Sequence, residues 1–136
     1  DEGIEFNFSR IKRTPNTIHS HRLVRHAAEH GLQTPVINAV FDAYFLEGKD
    51  IGEPEILADI AEIVGLDREQ TLFFLESSID TESVLAEDEL TRRLGVNGVP
   101  CFIVDRKYAV SGAQSAEVLV QVFNLAKQDN TLAVIQ

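Results

Sequence analysis

Residues 95–114, GVNGVPCFIVDRKYAVSGAQ, constrain the fold of this chain more than any other segment. A glycine turn and Pro100 lead directly into an apolar run at 101–104. Because proline cannot donate a hydrogen bond to a neighbouring strand, Pro100 is expected where a strand begins. Its place after a glycine turn favours a cis Val99–Pro100 peptide bond. A polar break, a second apolar run at 108–110 and helix signals follow. The segment therefore predicts strand, hairpin, strand and helix, entered through a proline.

Composition and charge limit the partners of the chain. With 136 residues, 44% of them hydrophobic, it can form one domain or two small units around a core. The 12 Lys and Arg against 22 Asp and Glu give a net charge of −10. The pI near 4.7 argues against nucleic acid and against anionic membrane surfaces as partners.

Cysteine content and hydropathy bear on the compartment. A single cysteine, Cys101, rules out a disulfide within these residues and fits a reducing compartment. No apolar run approaches the roughly 20 residues that span a bilayer. The acidic start, Asp1-Glu2-Gly3, does not resemble a signal peptide. We therefore expect a cytoplasmic location.

The remaining sequence predicts one strand and a series of helices. Apolar residues alternate with polar ones from Gly3 to Phe8, which predicts a half-buried strand that needs partners elsewhere. Helices are indicated by capping residues, glycine stops and apolar periodicity at 17–30, 35–46, 54–64, 68–75, 80–94 and 115–127. Thr34 is expected to cap the second helix, whose nearly continuous apolar character predicts burial on all sides. Residues 130–136 are expected to form a loose tail.

The unit at 95–114 resembles the C-terminal half of a thioredoxin fold. Together with NTIHSHRL at 16–23 and FLEGKDIGEPEIL at 45–57, it is similar to the DsbA-type oxidoreductases of the FrnE branch. The resemblance implies an α/β, thioredoxin-like fold with a large all-helical insertion. Its parts would be a strand and loop at 1–13, the helical insertion at 14–94, and a hairpin and helix at 95–136. The Cys-x-x-Cys of that family has no counterpart here, so the chain is expected to be truncated at its N-terminus.

The resemblance implies a thiol–disulfide oxidoreductase that acts on a protein or small molecule containing a thiol or a disulfide, without a cofactor. Without the dithiol, the chain alone is expected to be inactive. Two alternatives stay open. One is a glutathione-dependent isomerase or transferase of the 2-hydroxychromene-2-carboxylate isomerase type, with glutathione as cofactor. The other is a helical binding module with no catalytic role.

Five residues are predicted to bind substrate: Val99, Pro100, Cys101, Asn16 and His21. The sequence assigns no catalytic residue. The resemblance implies that the backbone before the proline holds an extended peptide or a glutathione-like thiol as an added strand. The alternative is a turn that only starts the strand. Cys101 is either a thiol near the redox centre or a small buried strand residue.

Asn16 and His21 lie at and just after the start of the first long helix, which faces the active-site cleft in the resembling family. A helix N-terminus attracts thiolates and carboxylates. The alternative is that Asn16 only caps the helix and the neighbouring Arg22 lies in solvent.

The sequence HAAEH at 26–30 matches the H-x-x-E-H pattern of one class of zinc proteases. His26 and His30 would share a helix face, as zinc ligands must. No convincing third ligand follows, so the sequence predicts no metal site.

Overall fold

The computed structural model describes residues 3–93, 96 and 98–133. Its helices and strands are α1 Ile18–Glu29, α2 Gln33–Phe45, α3 Pro54–Ile63, α4 Arg68–Glu76, α5 Thr81–Arg93, β1 Cys101–Val104, β2 Tyr108–Ser111 and α6 Ala116–Ala133. The described part is mostly helical with a small two-stranded sheet. The chain divides into two compact units, unit 1 at Asp1–Glu87 and unit 2 at Asp88–Gln136. No helix in the described ranges is long and apolar enough to cross a membrane. The three-part division at 1–13, 14–94 and 95–136 stays a prediction.

Unit 1 forms its core where helices α1 to α4 meet. Helix α3 begins at the predicted proline, with Pro54 in its first turn. Asp67 caps α4, because its side chain accepts a hydrogen bond from the Gln70 N–H at 2.8 Å. The main buried apolar side chains are those of Leu23, Ala27, Val36, Val40, Ala43, Ile51, Leu57, Ile60, Ala61, Leu66, Phe74 and Leu75.

The predicted strand at Gly3–Phe8 is wrong. Residues 4–7 have no regular secondary structure, and Phe8–Arg10 form a short 3-10 helix. Among the described residues the sheet contains only β1 and β2, and this segment is paired with neither of them. Instead, the Asn7 N–H donates to the Phe45 carbonyl at 2.8 Å, and the rings of Phe6 and Phe8 meet Phe45 edge-on.

Three smaller expectations about helices are also corrected. Helix α2 starts at Gln33, with Leu32 and not Thr34 at its N-cap, because the Leu32 carbonyl already accepts from the Val36 N–H. It buries only one stripe, and Phe41 on its other side is 56% exposed. At the C-terminus, α6 continues to Ala133, past the expected tail boundary at 130.

Unit 2 contains an antiparallel hairpin and a helix that contacts both of its strands. Cys101 pairs with Ser111, and Val104 pairs with Tyr108. The turn between the strands has positive φ at Asp105 and Arg106, and tight hairpins need this geometry to match the strand twist. The strands and α6 are the expected elements of the segment around Pro100.

Candidate substrate-binding site

The residue before the proline is the most exposed large hydrophobic residue in the described part of the chain. Val99 is 91% exposed, and the Val99–Pro100 peptide bond is cis, as predicted. The Pro100 carbonyl accepts a hydrogen bond from the Gly112 N–H at 2.8 Å, which fixes this residue to the end of β2. None of the described residues bonds to the amide or carbonyl of Val99. The main chain at Val99 is therefore available to a second extended segment.

Strand β1 adds a further edge to this position. Within the described residues its one strand neighbour is β2, so its other edge has no strand partner. Phe102 and Ile103 are 40% and 56% exposed. Unpaired N–H and C=O groups along a strand edge are a template for pairing with another chain. Val99 and the free edge of β1 together form the candidate site, called the β1 edge below.

Cys101 begins β1 and is half-buried. This partial burial does not decide between a thiol near the redox centre and a small buried strand residue. The register sets it opposite Ser111, whereas Arg106 and Lys107 lie at the turn, at the other end of the hairpin. Lys107 is directed to the Asp129 carboxylate, 3.7 Å away. The cations of the turn thus do not face the thiol, and a cationic neighbour is what most often activates a cysteine.

Asn16 and His21 belong to unit 1, whereas Val99, Pro100 and Cys101 belong to unit 2. The Asn16 side chain accepts a hydrogen bond from the Ile18 N–H at 3.0 Å, whereas Thr17 is the N-cap residue of α1 and makes no side-chain capping bond. Both Asn16 and His21 are exposed. The five predicted residues therefore form two groups, one in each unit, and Asn16 satisfies the first N–H of α1 without being its N-cap residue.

Arg22, expected in solvent, is completely buried. Its guanidinium donates to four main-chain carbonyls at the end of α4 and just beyond it, at 2.7–2.9 Å: those of Phe74, Leu75, Ser77 and Ile79. It also lies over the Phe74 ring, 4.9 Å from its centre. The carbonyls at a helix end need partners, and α4 has no glycine cap to supply them. That missing cap is the sequence signal that could have revealed the role of Arg22.

The two histidines of the H-x-x-E-H pattern are 5.1 Å apart between ring centres. His26 stacks on Phe74 at 4.7 Å, so one of its faces is covered by an aromatic ring. The described residues contain no group of three or more side chains suited to hold a metal. The absence of a metal site stays a prediction for the whole chain.

A concave surface lies in unit 1, where a cavity of about 490 Å³ opens beside α2. It is lined mainly by apolar side chains, with one amide and one carboxylate: Ile4, Phe6, Asn38, Phe41, Asp42, Phe45 and Leu46. The lining contains no serine, threonine, cysteine, histidine or lysine side chain. This cavity adds no chemistry to the candidate site.

Comparison with known proteins assigns the family. Residues 1–124 match the model of the DSBA-like thioredoxin domain, and the chain belongs to that family. Its structure is similar to the crystal structure of a probable DsbA oxidoreductase from Streptomyces coelicolor, with a TM-score of 0.79 and 31% sequence identity. The match covers 93% of this chain and 55% of that one, so this chain spans little more than half the length of its structural relative. No curated protein is significantly similar in sequence.

The family match confirms the predicted fold class. A small sheet beside a mostly helical body is consistent with a DsbA-like thioredoxin fold that carries a helical insertion. The family is of the thiol–disulfide oxidoreductase type.

Proposed function

We propose that this chain is the substrate-holding part of a thiol–disulfide oxidoreductase of the DsbA type, in the FrnE-like branch. The observation that carries the proposal is the position of Val99, which is 91% exposed and has no main-chain hydrogen bond to the described residues. It lies next to Pro100 and to the edge of β1 that has no strand partner in the described part of the chain. Family membership and the similarity to a probable DsbA oxidoreductase support it. The proposed substrate is a protein or small molecule that contains a thiol or a disulfide.

Binding at the β1 edge would use main-chain hydrogen bonds. An extended segment of the substrate would lie beside Val99 and β1 as an added strand, donating to and accepting from backbone groups. Such bonds do not depend on the side chains of the substrate, which suits an enzyme that acts on many sequences. Cys101 would lie beside the bound segment without being the attacking nucleophile.

Catalysis requires two thiols, and this chain has one cysteine. In disulfide exchange, a substrate thiolate attacks one sulfur of the enzyme disulfide and releases the other sulfur as a thiolate. A second substrate thiolate then attacks the mixed disulfide, forming the substrate disulfide and leaving the enzyme dithiol reduced. We propose that a Cys-x-x-Cys segment outside these 136 residues supplies the enzyme disulfide. The greater length of the structural relative is in keeping with this. The proposal needs no cofactor, and we propose a cytoplasmic location.

Turnover tests the proposal. In a disulfide-exchange assay, the 136-residue chain should complete no more than one event per molecule, whereas a longer protein that includes the dithiol should turn over many times. Cys101→Ser in the longer protein should leave turnover nearly unchanged. Multiple turnovers by the short chain, or loss of activity in Cys101→Ser, would contradict the proposal. Activity that requires glutathione and isomerises a small molecule would favour the alternative enzyme class.

A further inference from the structure

Arg22 is a buried cation with no ion-pair partner among the described residues. Its hydrogen-bond partners are the four neutral carbonyls described above, the Nδ1 of His19 and, at 3.5 Å, the Ser77 hydroxyl. Burial lowers the pKa of Arg22, although the carboxylate of Asp80 at the start of α5 opposes this. A guanidinium nevertheless stays charged in proteins. Its positive charge is therefore held in place by dipoles at the end of α4, where a cation complements the helix dipole.

His19 lies one helical turn before Arg22, and its Nδ1 is 2.9 Å from the Arg22 Nη1. A guanidinium has only donors, so Nδ1 must accept this hydrogen bond with its lone pair. His19 is then neutral, with its proton on Nε2. If Nδ1 gained a proton, an imidazolium N–H would face the N–H of a second cation at this distance. The same contact would change from attraction to repulsion.

We propose that His19 and Arg22 form an acid-sensitive clamp on the segment from the end of α4 to the start of α5. While His19 is neutral, Arg22 holds the carbonyls of this segment. When His19 takes up a proton, repulsion displaces the guanidinium and the segment at 74–80 is released from α1. This inference concerns unit 1 alone and does not depend on the proposed oxidoreductase activity.

The charges around the clamp define the direction of the effect. Burial and then the charge of Arg22 lower the pKa of His19, while Glu53 at the start of α3 acts to raise it. Glu53 already accepts a hydrogen bond from Arg13 at 2.6 Å, and Asp80 lies 3.9 Å from Arg25. In the unfolded or released state, His19 titrates near its ordinary pKa of about 6.5. The clamped state therefore holds fewer protons, and its stability is lost as the pH falls below about 6.5.

Amide hydrogen exchange at Ser77, whose N–H bonds to carbonyls at the end of α4, measures the release. In the wild-type chain, the protection factor of the Ser77 amide, corrected for intrinsic exchange, should fall as the pH is lowered from about 7 to about 5. The fall should be up to about tenfold per pH unit. His19→Asn places an oxygen acceptor near Nδ1 without a titratable proton, and it should remove this dependence. His21→Asn, which changes an exposed histidine of the same helix, is the matched control and should keep it.

A second readout does not depend on any variant. Nitrogen NMR of the wild-type chain should show His19 as the neutral form with Nδ1 unprotonated, titrating below about 6.5. A protonated Nδ1 at neutral pH would overturn the clamp. So would a loss of Ser77 protection in acid that is the same in His19→Asn and the wild-type chain, or no loss in the wild-type chain.

Discussion

Units 1 and 2 bury their apolar side chains to very different extents. Among the described residues, every buried apolar side chain except Ala126 lies in unit 1, where Leu23 and Leu57 are completely inaccessible. In unit 2, Ile103 on β1 and Phe123 on α6 are 56% and 53% exposed. Four packed helices enclose a core, whereas one hairpin and one helix can cover only one face of each other. Unit 1 therefore carries the stability of the described chain, and unit 2 presents surface.

This difference supports different roles for the two units. Exposed apolar side chains next to an unpaired strand edge are typical of a site that contacts another chain. Substitutions in unit 1 are expected to change stability, and substitutions at the β1 edge are expected to change binding. The chain has no tryptophan, and its two tyrosines, Tyr44 and Tyr108, report on units 1 and 2 respectively.

The largest loss of stability is expected from Arg22→Met. It removes the cation that satisfies four carbonyls, and hydrogen bonds to a charged group contribute about 1.5–3 kcal/mol each. Unit 1 should lose about 3 kcal/mol or more of its free energy of unfolding, measured by denaturant titration of Tyr44 fluorescence. Arg13→Met is the control, because Arg13 is 66% exposed and should have a far smaller effect. Equal losses in the two variants would contradict the role of Arg22.

Leu57→Ala and Phe123→Ala compare the units directly. Leu57 is fully buried, so its truncation should lower the free energy of unfolding by about 2–5 kcal/mol. Phe123 is about half-exposed, and its replacement should change stability by roughly 0.5 kcal/mol or less. Hydrogen exchange of the α3 and α6 amides gives the two values separately. A loss for Phe123→Ala as large as that for Leu57→Ala would mean that unit 2 has a core of its own.

Gly48→Ala tests how the segment around Arg10 packs against the rest of unit 1. Gly48 has a φ of +71°, and a Cβ there would lie 2.4 Å from the Arg10 Cβ. Gly31 has a φ of +70°, and no atom lies within 4 Å of a Cβ placed there. Gly31→Ala should therefore lose stability only through backbone strain, by about 1–2 kcal/mol. Thermal unfolding should therefore show Gly48→Ala as the less stable of the two variants. Equal melting temperatures would show that residues near Arg10 do not pack on Gly48.

The smallest expected effect concerns Tyr108, whose hydroxyl donates to the Asp129 carboxylate at 2.7 Å. This bond, followed by burial, raises the pKa of Tyr108. Stability from the bond is present below the ordinary tyrosine pKa of about 10 and is lost as the pH rises through the folded-state value. In a Tyr44→Phe background, absorbance titration should show Tyr108 ionising at lower pH after Asp129→Asn. An unchanged titration curve would contradict the hydrogen bond between Tyr108 on β2 and Asp129 on α6.

Local signals in the sequence predicted most elements of the fold. Pro54 and the Asp67 cap are local signals for the start of a helix. The hairpin was predicted from the proline, the polar break and the two apolar runs alone. The alternation at Ile4–Phe8 failed because a strand depends on a partner elsewhere, which periodicity does not reveal. The burial of Arg22 was missed because it depends on carbonyls more than 50 positions away. For the candidate site, the sequence predicted Val99, Pro100 and Cys101 together, but it could not show that Asn16 and His21 belong to the other unit.

The central claim is that the backbone at Val99 binds an extended substrate, and a pair of variants tests it most directly. In a longer protein that includes the dithiol, Val99→Ala keeps the main-chain N–H and removes an exposed side chain, so KM for a disulfide peptide should hardly change. Val99→Pro removes the N–H, and the loss of one hydrogen bond of about 0.5–1.5 kcal/mol should raise KM roughly two- to tenfold. Circular dichroism confirms that both variants stay folded. A raised KM in Val99→Ala with an unchanged KM in Val99→Pro would contradict backbone recognition at the β1 edge.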